Sequence, residues 1–64
     1  MSRLGFKTAA ERKLLVGKRV VITMMSGRKR EAEVILASGR NLQIDTGGTL
    51  DWVYVPDIFE VHAL

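Results

Sequence analysis

The side chains in this sequence that can do chemistry are chiefly cations and two aromatics, with a scatter of carboxylates around them. Arg28, Lys29 and Arg30 form an unbroken basic triplet, Arg12 and Lys13 a basic pair with Lys7 and Lys18 nearby, and Arg40 stands apart. Long cationic side chains reach phosphate oxygens, a contact that holds a nucleic acid without reading its sequence. The other reading of the triplet is a charged hairpin tip kept soluble. Trp52 and Tyr54 are two residues apart, which puts both on one face of a strand, where exposed rings could stack on bases. A small barrel also wants its largest side chain inside, so Trp52 is expected in the core, with Tyr54 as the stacking residue.

Catalytic chemistry finds little to work with. Proton transfer or nucleophilic attack needs a positioned pair, such as a serine or cysteine beside histidine, or two carboxylates. There is no cysteine, and the one histidine, His62, lies two residues from the end of the sequence. Without thiolates, a metal would need Asp45, Asp51 and Asp57 to converge from different strands or turns, and they read instead as surface acids. Gly47-Gly48 lacks the Lys-Ser/Thr that completes a phosphate loop. The chain is therefore expected to be non-enzymatic, with no catalytic residue, no metal and no cofactor.

Net charge is +3, but it is unevenly placed. Residues 1–30 hold nine cations against Glu11, a balance of +8, whereas residues 31–64 hold Arg40 against six acids, a balance of −5. Such polarity suits a polyanion, an acidic protein partner or head-to-tail self-association, or else a solvated surface of mixed charge. Sixty-four residues make one small domain, and 47% apolar content is that of an ordinary globular chain with no run long enough to span a membrane. The N-terminal residues show no apolar signal segment, so the cytoplasm is the expected compartment.

The elements that must position these groups follow from periodicity. Thr8 and Glu11 have capping-box spacing and Gly17 can end a helix, which predicts a helix over about 8–16. Ala10, Leu14 and Leu15 would form its apolar stripe, with Arg12 and Lys13 on the opposite side. From Lys18 the pattern has period two, broken at Ser26-Gly27, Ser38-Gly39, Gly47-Gly48 and Pro56. Five short strands result: Val20, Ile22 and Met24 alternate with Val21, Thr23 and Met25, leaving apolar groups on both faces of the first, Ala32, Val34 and Leu36 share one face of the second, and Leu42 and Ile44 point inward from the third. The fold class is mainly β: a short N-terminal helix, then a strongly bent five-stranded antiparallel small barrel of SH3-like or Sm-like type over about 18–64.

In order and length these elements resemble the Sm-like proteins, and the Hfq-like branch among them. Val20-x-Ile22 followed by Gly27 resembles the first Sm motif, and Val53-Tyr54-x-x-x-Ile58-x-x-Val61 resembles the second with unbroken spacing. The chain departs from that pattern at Arg30 and Ala32, at Arg40 in place of a stacking aromatic, and at Val55-Pro56 in place of a pore-lining Lys-His pair. The resemblance implies a homo-oligomeric, hexamer-like ring in which the fourth strand of one subunit pairs with the fifth of the next. Val53, Val55, Phe59 and Val61 would line that interface. It also implies binding of single-stranded RNA, with Tyr54 stacking and Arg12 and Lys13 as a basic patch on the helix; the basic triplet adds Arg28, Lys29 and Arg30 as expected phosphate contacts, and Arg40, where the chain departs from the pattern, is a further basic contact. The competing readings are an SH3-like protein-interaction module and a small regulator that docks on a nucleic-acid enzyme through Asp51, Asp57 and Glu60.

Overall fold

Strands form wherever apolar residues recur at every second position. In the computed structural model, which describes residues 2–64, the order is β1 (Arg3–Leu4), α1 (Ala9–Leu15), β2 (Arg19–Met24), β3 (Lys29–Ser38), β4 (Asn41–Asp45), β5 (Leu50–Tyr54), a 3-10 turn (Val55–Asp57) and β6 (Ile58–Ala63). All strand pairs are antiparallel, in one sheet of order β1-β6-β2-β3-β4-β5. The sheet has six strands where periodicity predicts five. The addition is β1, two residues too short to carry a period, which pairs Arg3 with His62 and Leu4 with Val61.

The expected barrel is not closed: β1 and β5 are free edges. The sheet nevertheless curls over its own inner face. Val20, Ile22, Ala32, Val34, Leu42, Ile44, Val53, Ile58 and Val61 of the strands and Val55 of the 3-10 turn are all buried, although the only elements outside the sheet are a seven-residue helix and that turn. The Cα extents are 25 × 21 × 20 Å, whereas flat sheets stack with a layer spacing of about 10 Å. Phe6 and Leu15, from the N-terminal segment and α1, complete the core.

Several expectations about facing need correction. Leu36 is exposed, because a bulge between Val34 and Leu36 inverts the alternation and leaves Ala37 packed against the core. A second irregularity, between Thr23 and Met24 on the β2–β6 ladder, leaves Phe59 without a partner and exposed. Trp52 is half exposed rather than core, because Val53 opposes Leu42 on the inner face and parity sends Trp52 outward. For the same reason Val53, Val55 and Val61 are core residues; their side chains are committed inside the chain and only their backbone could meet a neighbouring subunit.

The helix starts as its sequence specifies. The Thr8 hydroxyl accepts the Glu11 N–H, and the Glu11 carboxylate accepts the Thr8 N–H, each at 3.1 Å. Gly5 lacks the side chain that would collide with this carboxylate. The docked face, however, is Arg12 and Leu15, while Ala10 and Leu14 face solvent. Helical periodicity could not reveal this, because what Arg12 meets is backbone of the segment before the helix. Between β4 and β5, Gly47 and Gly48 take φ of 71° and 97°, and Thr46 N–H bonds Thr49 O at 2.9 Å. Positive φ at both central positions is what a two-residue hairpin turn demands, and glycine adopts it without strain.

Candidate nucleic-acid interface

The β2–β3 hairpin carries the basic triplet, and its three members have different environments. Arg28 and Lys29 are exposed, and no carboxylate lies within ion-pair distance of either among the described residues. The tip is fixed to the 3-10 turn by Met25 N–H donating to Asp57 O at 2.8 Å. Beside it lies a groove of about 420 Å³ lined by Met24, Met25, Ser26, Arg28, Arg30 and Asp57.

Arg30 is already engaged. It shares the inward parity of Ala32 and Val34, and its Nη2 lies 2.9 Å from Asp51 Oδ2. Asp51 has the inward parity of Val53, so the pair bridges the start of β3 to the start of β5 across the curl. Asp51 Oδ1 also accepts the Trp52 N–H at 2.8 Å. These two hydrogen bonds, that from Arg30 first, hold the Asp51 carboxyl below its ordinary value of 3.8. Val55 N–H donates to Arg40 O, so odd-numbered amides of β5 point toward β4 and the Trp52 amide points to the open edge. Asp51 therefore occupies a donor that a free edge strand would otherwise present.

The outer face of β5 presents Leu50, Trp52 and Tyr54, exposed by 58%, 50% and 48%. Tyr54 is opposite Asn41, the residue after Arg40, so the aromatic row ends at the β3–β4 turn that carries Arg40. Arg40 in turn lines two adjoining grooves. One, of about 290 Å³, also includes Arg12, Lys13 and Gly39; the other, of about 380 Å³, includes Phe6, Lys7, Arg12, Val55 and Pro56. Neither is lined by an acid.

Arg12 does not stand free on the helix surface. It is buried, and its Nη1 donates to Phe6 O at 3.1 Å and Lys7 O at 2.9 Å. Lys13 and Arg40 are exposed. Lys7, whose Nζ lies 4.9 Å from the Phe6 ring centroid, lines the second groove with Arg12 and Arg40, near the basic helix side with which its sequence position groups it. The exposure of Trp52 was more accessible to reasoning: Val53 and Val55 on the opposite parity already supply an apolar inner face.

The acids lie mainly elsewhere. Glu33 opposes Arg19 on one side and Asp45 on the other, and Glu60 pairs with Arg3 at 3.8 Å and His62 at 3.3 Å. Among the described residues no three His, Cys, Asp or Glu side chains are grouped so as to hold a metal, and no helix is long and apolar enough to cross a membrane. A comparison with known proteins finds no family model that matches the sequence and no curated protein that matches it significantly.

Proposed function

We propose that the protein is a non-enzymatic small-barrel module of Sm-like type that binds single-stranded RNA. The observation that carries this reading is the half-exposed Trp52–Tyr54 row, which runs along β5 into the turn bearing Arg40. Rings on a strand face accept bases of any sequence, and adjacent cations take the backbone. Single strands suit this surface better than a duplex, because no helix is presented for a groove. Arg28 and Lys29 are the triplet members free to meet phosphates. Arg30 would first have to leave Asp51.

Assembly into a ring belongs to the same proposal. β6 lies between β1 and β2, so the open edge of β5 would meet only the stretch Ile58–Glu60 of the next copy, which two-residue β1 leaves uncovered, in a heterologous contact that forms a ring if the rotation closes. Leu50 and Trp52 would be partly covered by it. The contact needs the Trp52 N–H to exchange Asp51 for a neighbour's carbonyl.

The test is titration of nuclease-treated protein with oligouridine, after its native mass has been fixed by light scattering at high salt. Trp52 is the sole tryptophan, so its emission reports the proposed surface directly. A mass near six times 7.1 kDa, about 43 kDa, and saturable quenching that weakens steeply with salt are expected. Tyr54→Ala should reduce affinity roughly fivefold or more, as loss of one stacking contact does. A 7.1 kDa monomer would end the ring proposal, and unquenched Trp52 emission would end the RNA surface as drawn.

A further inference from the structure

Arg12 is the only charged side chain buried among the described residues, with 9% of its surface exposed. A buried cation is costly unless an anion or a full set of acceptors offsets its lost hydration. No carboxylate is within ion-pair distance of Arg12. Both of its protein hydrogen bonds come from Nη1, to the Phe6 and Lys7 carbonyls, which leaves Nε and Nη2 without a protein partner. No side-chain nitrogen of the described residues is both sealed from solvent and unpartnered, so Nε and Nη2 are reachable from outside. The openings that Arg12 lines are the two adjoining grooves, and their other charged residues are Lys7, Lys13 and Arg40. Each groove thus has three cations and no acid, Arg12 and Arg40 being common to both.

We propose that this double groove is a phosphate-binding site with Arg12 at its base. The two carbonyls fix the guanidinium plane through Nη1, so the remaining edge is pre-oriented for a planar, two-oxygen contact. Lys7 and Lys13 close on the ligand from the preceding loop and from α1, and Arg40 closes from the β3–β4 turn. The count of cations favours a doubly charged phosphate over a carboxylate. The backbone bonds explain why the guanidinium stays in place when the site is empty. This site does not rest on the RNA reading: it is built on Arg12, and an RNA surface on Trp52 and Tyr54 can stand or fall without it.

The probe is inorganic phosphate, titrated at constant ionic strength against chloride and acetate, with backbone amide shifts and thermal midpoint as readouts. The expected result is saturable shifts centred on Lys7, Arg12, Lys13 and Arg40, absent with chloride or acetate. Phosphate also stabilises proteins generally by exclusion from their surfaces. The Lys7→Gln/Lys13→Gln double variant separates the two effects. Both side chains are exposed, so the variant should fold and melt normally in chloride, yet bind phosphate about tenfold more weakly or worse. Equal shifts with acetate or chloride would overturn the proposal, as would undiminished binding by the double variant. Two short oligouridines, with 5′-phosphate and with 5′-hydroxyl, then identify the source. Displacement of bound phosphate by the first alone assigns a terminal monoester, displacement by both a backbone diester, and displacement by neither a free phosphate; each supports the site. The double variant removes Lys13, one of the basic contacts expected for RNA, so the two readings are separated in the wild type: phosphate shifts without Trp52 quenching mark failure of the RNA surface alone, and quenching without phosphate shifts marks failure of this site alone.

Discussion

The two margins of the sheet are finished in opposite ways. At the β1 margin, a two-residue strand pairs with β6, Phe6 and Leu15 enter the core, and Arg12 ties α1 to the loop beneath it. At the β5 margin, five residues end in an open edge whose outward side chains Leu50, Trp52 and Tyr54 remain half exposed. At the first margin Phe6 and Leu15 hold the chain together while Leu14 alone of the helix leucines stays exposed, whereas the whole outward row of the second is left for contact with something else. A chain this small can leave apolar surface uncovered only where stability does not depend on it.

Truncating one aromatic on each margin is the most direct way to break this comparison. Phe6→Ala removes a buried ring and should cost about 3–5 kcal/mol, a large share of what a domain of this size possesses. Trp52→Ala removes a larger ring from the other margin, but one only half buried, and should cost less, about 1–2 kcal/mol. Urea unfolding followed by circular dichroism checks both. Equal losses would mean that β5 is as much a structural margin as β1.

The next effect in size separates two arginines. Arg12→Met leaves the Phe6 and Lys7 carbonyls without their donor and should cost about 1–3 kcal/mol, nearly independent of salt. Arg30→Met breaks only a solvent-exposed ion pair, so it should cost less, and less again in concentrated salt. Urea midpoints at low and high salt give the answer. A salt-sensitive loss in the Arg12 variant would contradict the carbonyl anchor.

How much of this was legible in the sequence differs by element. The capping box at Thr8 and Glu11, the Gly47-Gly48 turn and the inward pair on β4 all follow from local spacing, and each is found where the spacing puts it, whereas β2 is apolar on both faces and spacing alone does not choose between them. What was misread depends on register or on backbone. The bulge at β3 turns Leu36 out, and nothing in a single sequence marks where a ladder slips by one residue. Arg12 reads as a surface cation because its partners are the carbonyls of Phe6 and Lys7, groups that every residue possesses. Of the candidate contacts, Arg40 and Tyr54 converge through strand pairing, whereas Arg30 is drawn away by an acid 21 positions along the chain.

The smallest effect concerns Asp51, the one residue guarding the open margin. Its carboxyl is held below the ordinary 3.8 by the Arg30 hydrogen bond first and the Trp52 N–H second. A lowered carboxyl favours the folded state at pH values above its unfolded value, and that contribution fades as pH falls through the lowered folded value. The wild-type protein should therefore lose stability as pH falls below about 4 by one step that Asp51→Asn lacks. Both side chains of the pair reach solvent, so the step should be shallow and should flatten further in salt. Urea midpoints taken from pH 2 to pH 6 for the two proteins isolate it, because every other carboxylate is common to both. Identical profiles would show that Asp51 neither fastens β3 to β5 nor holds the Trp52 amide, and the β5 margin would then be an edge with no guard.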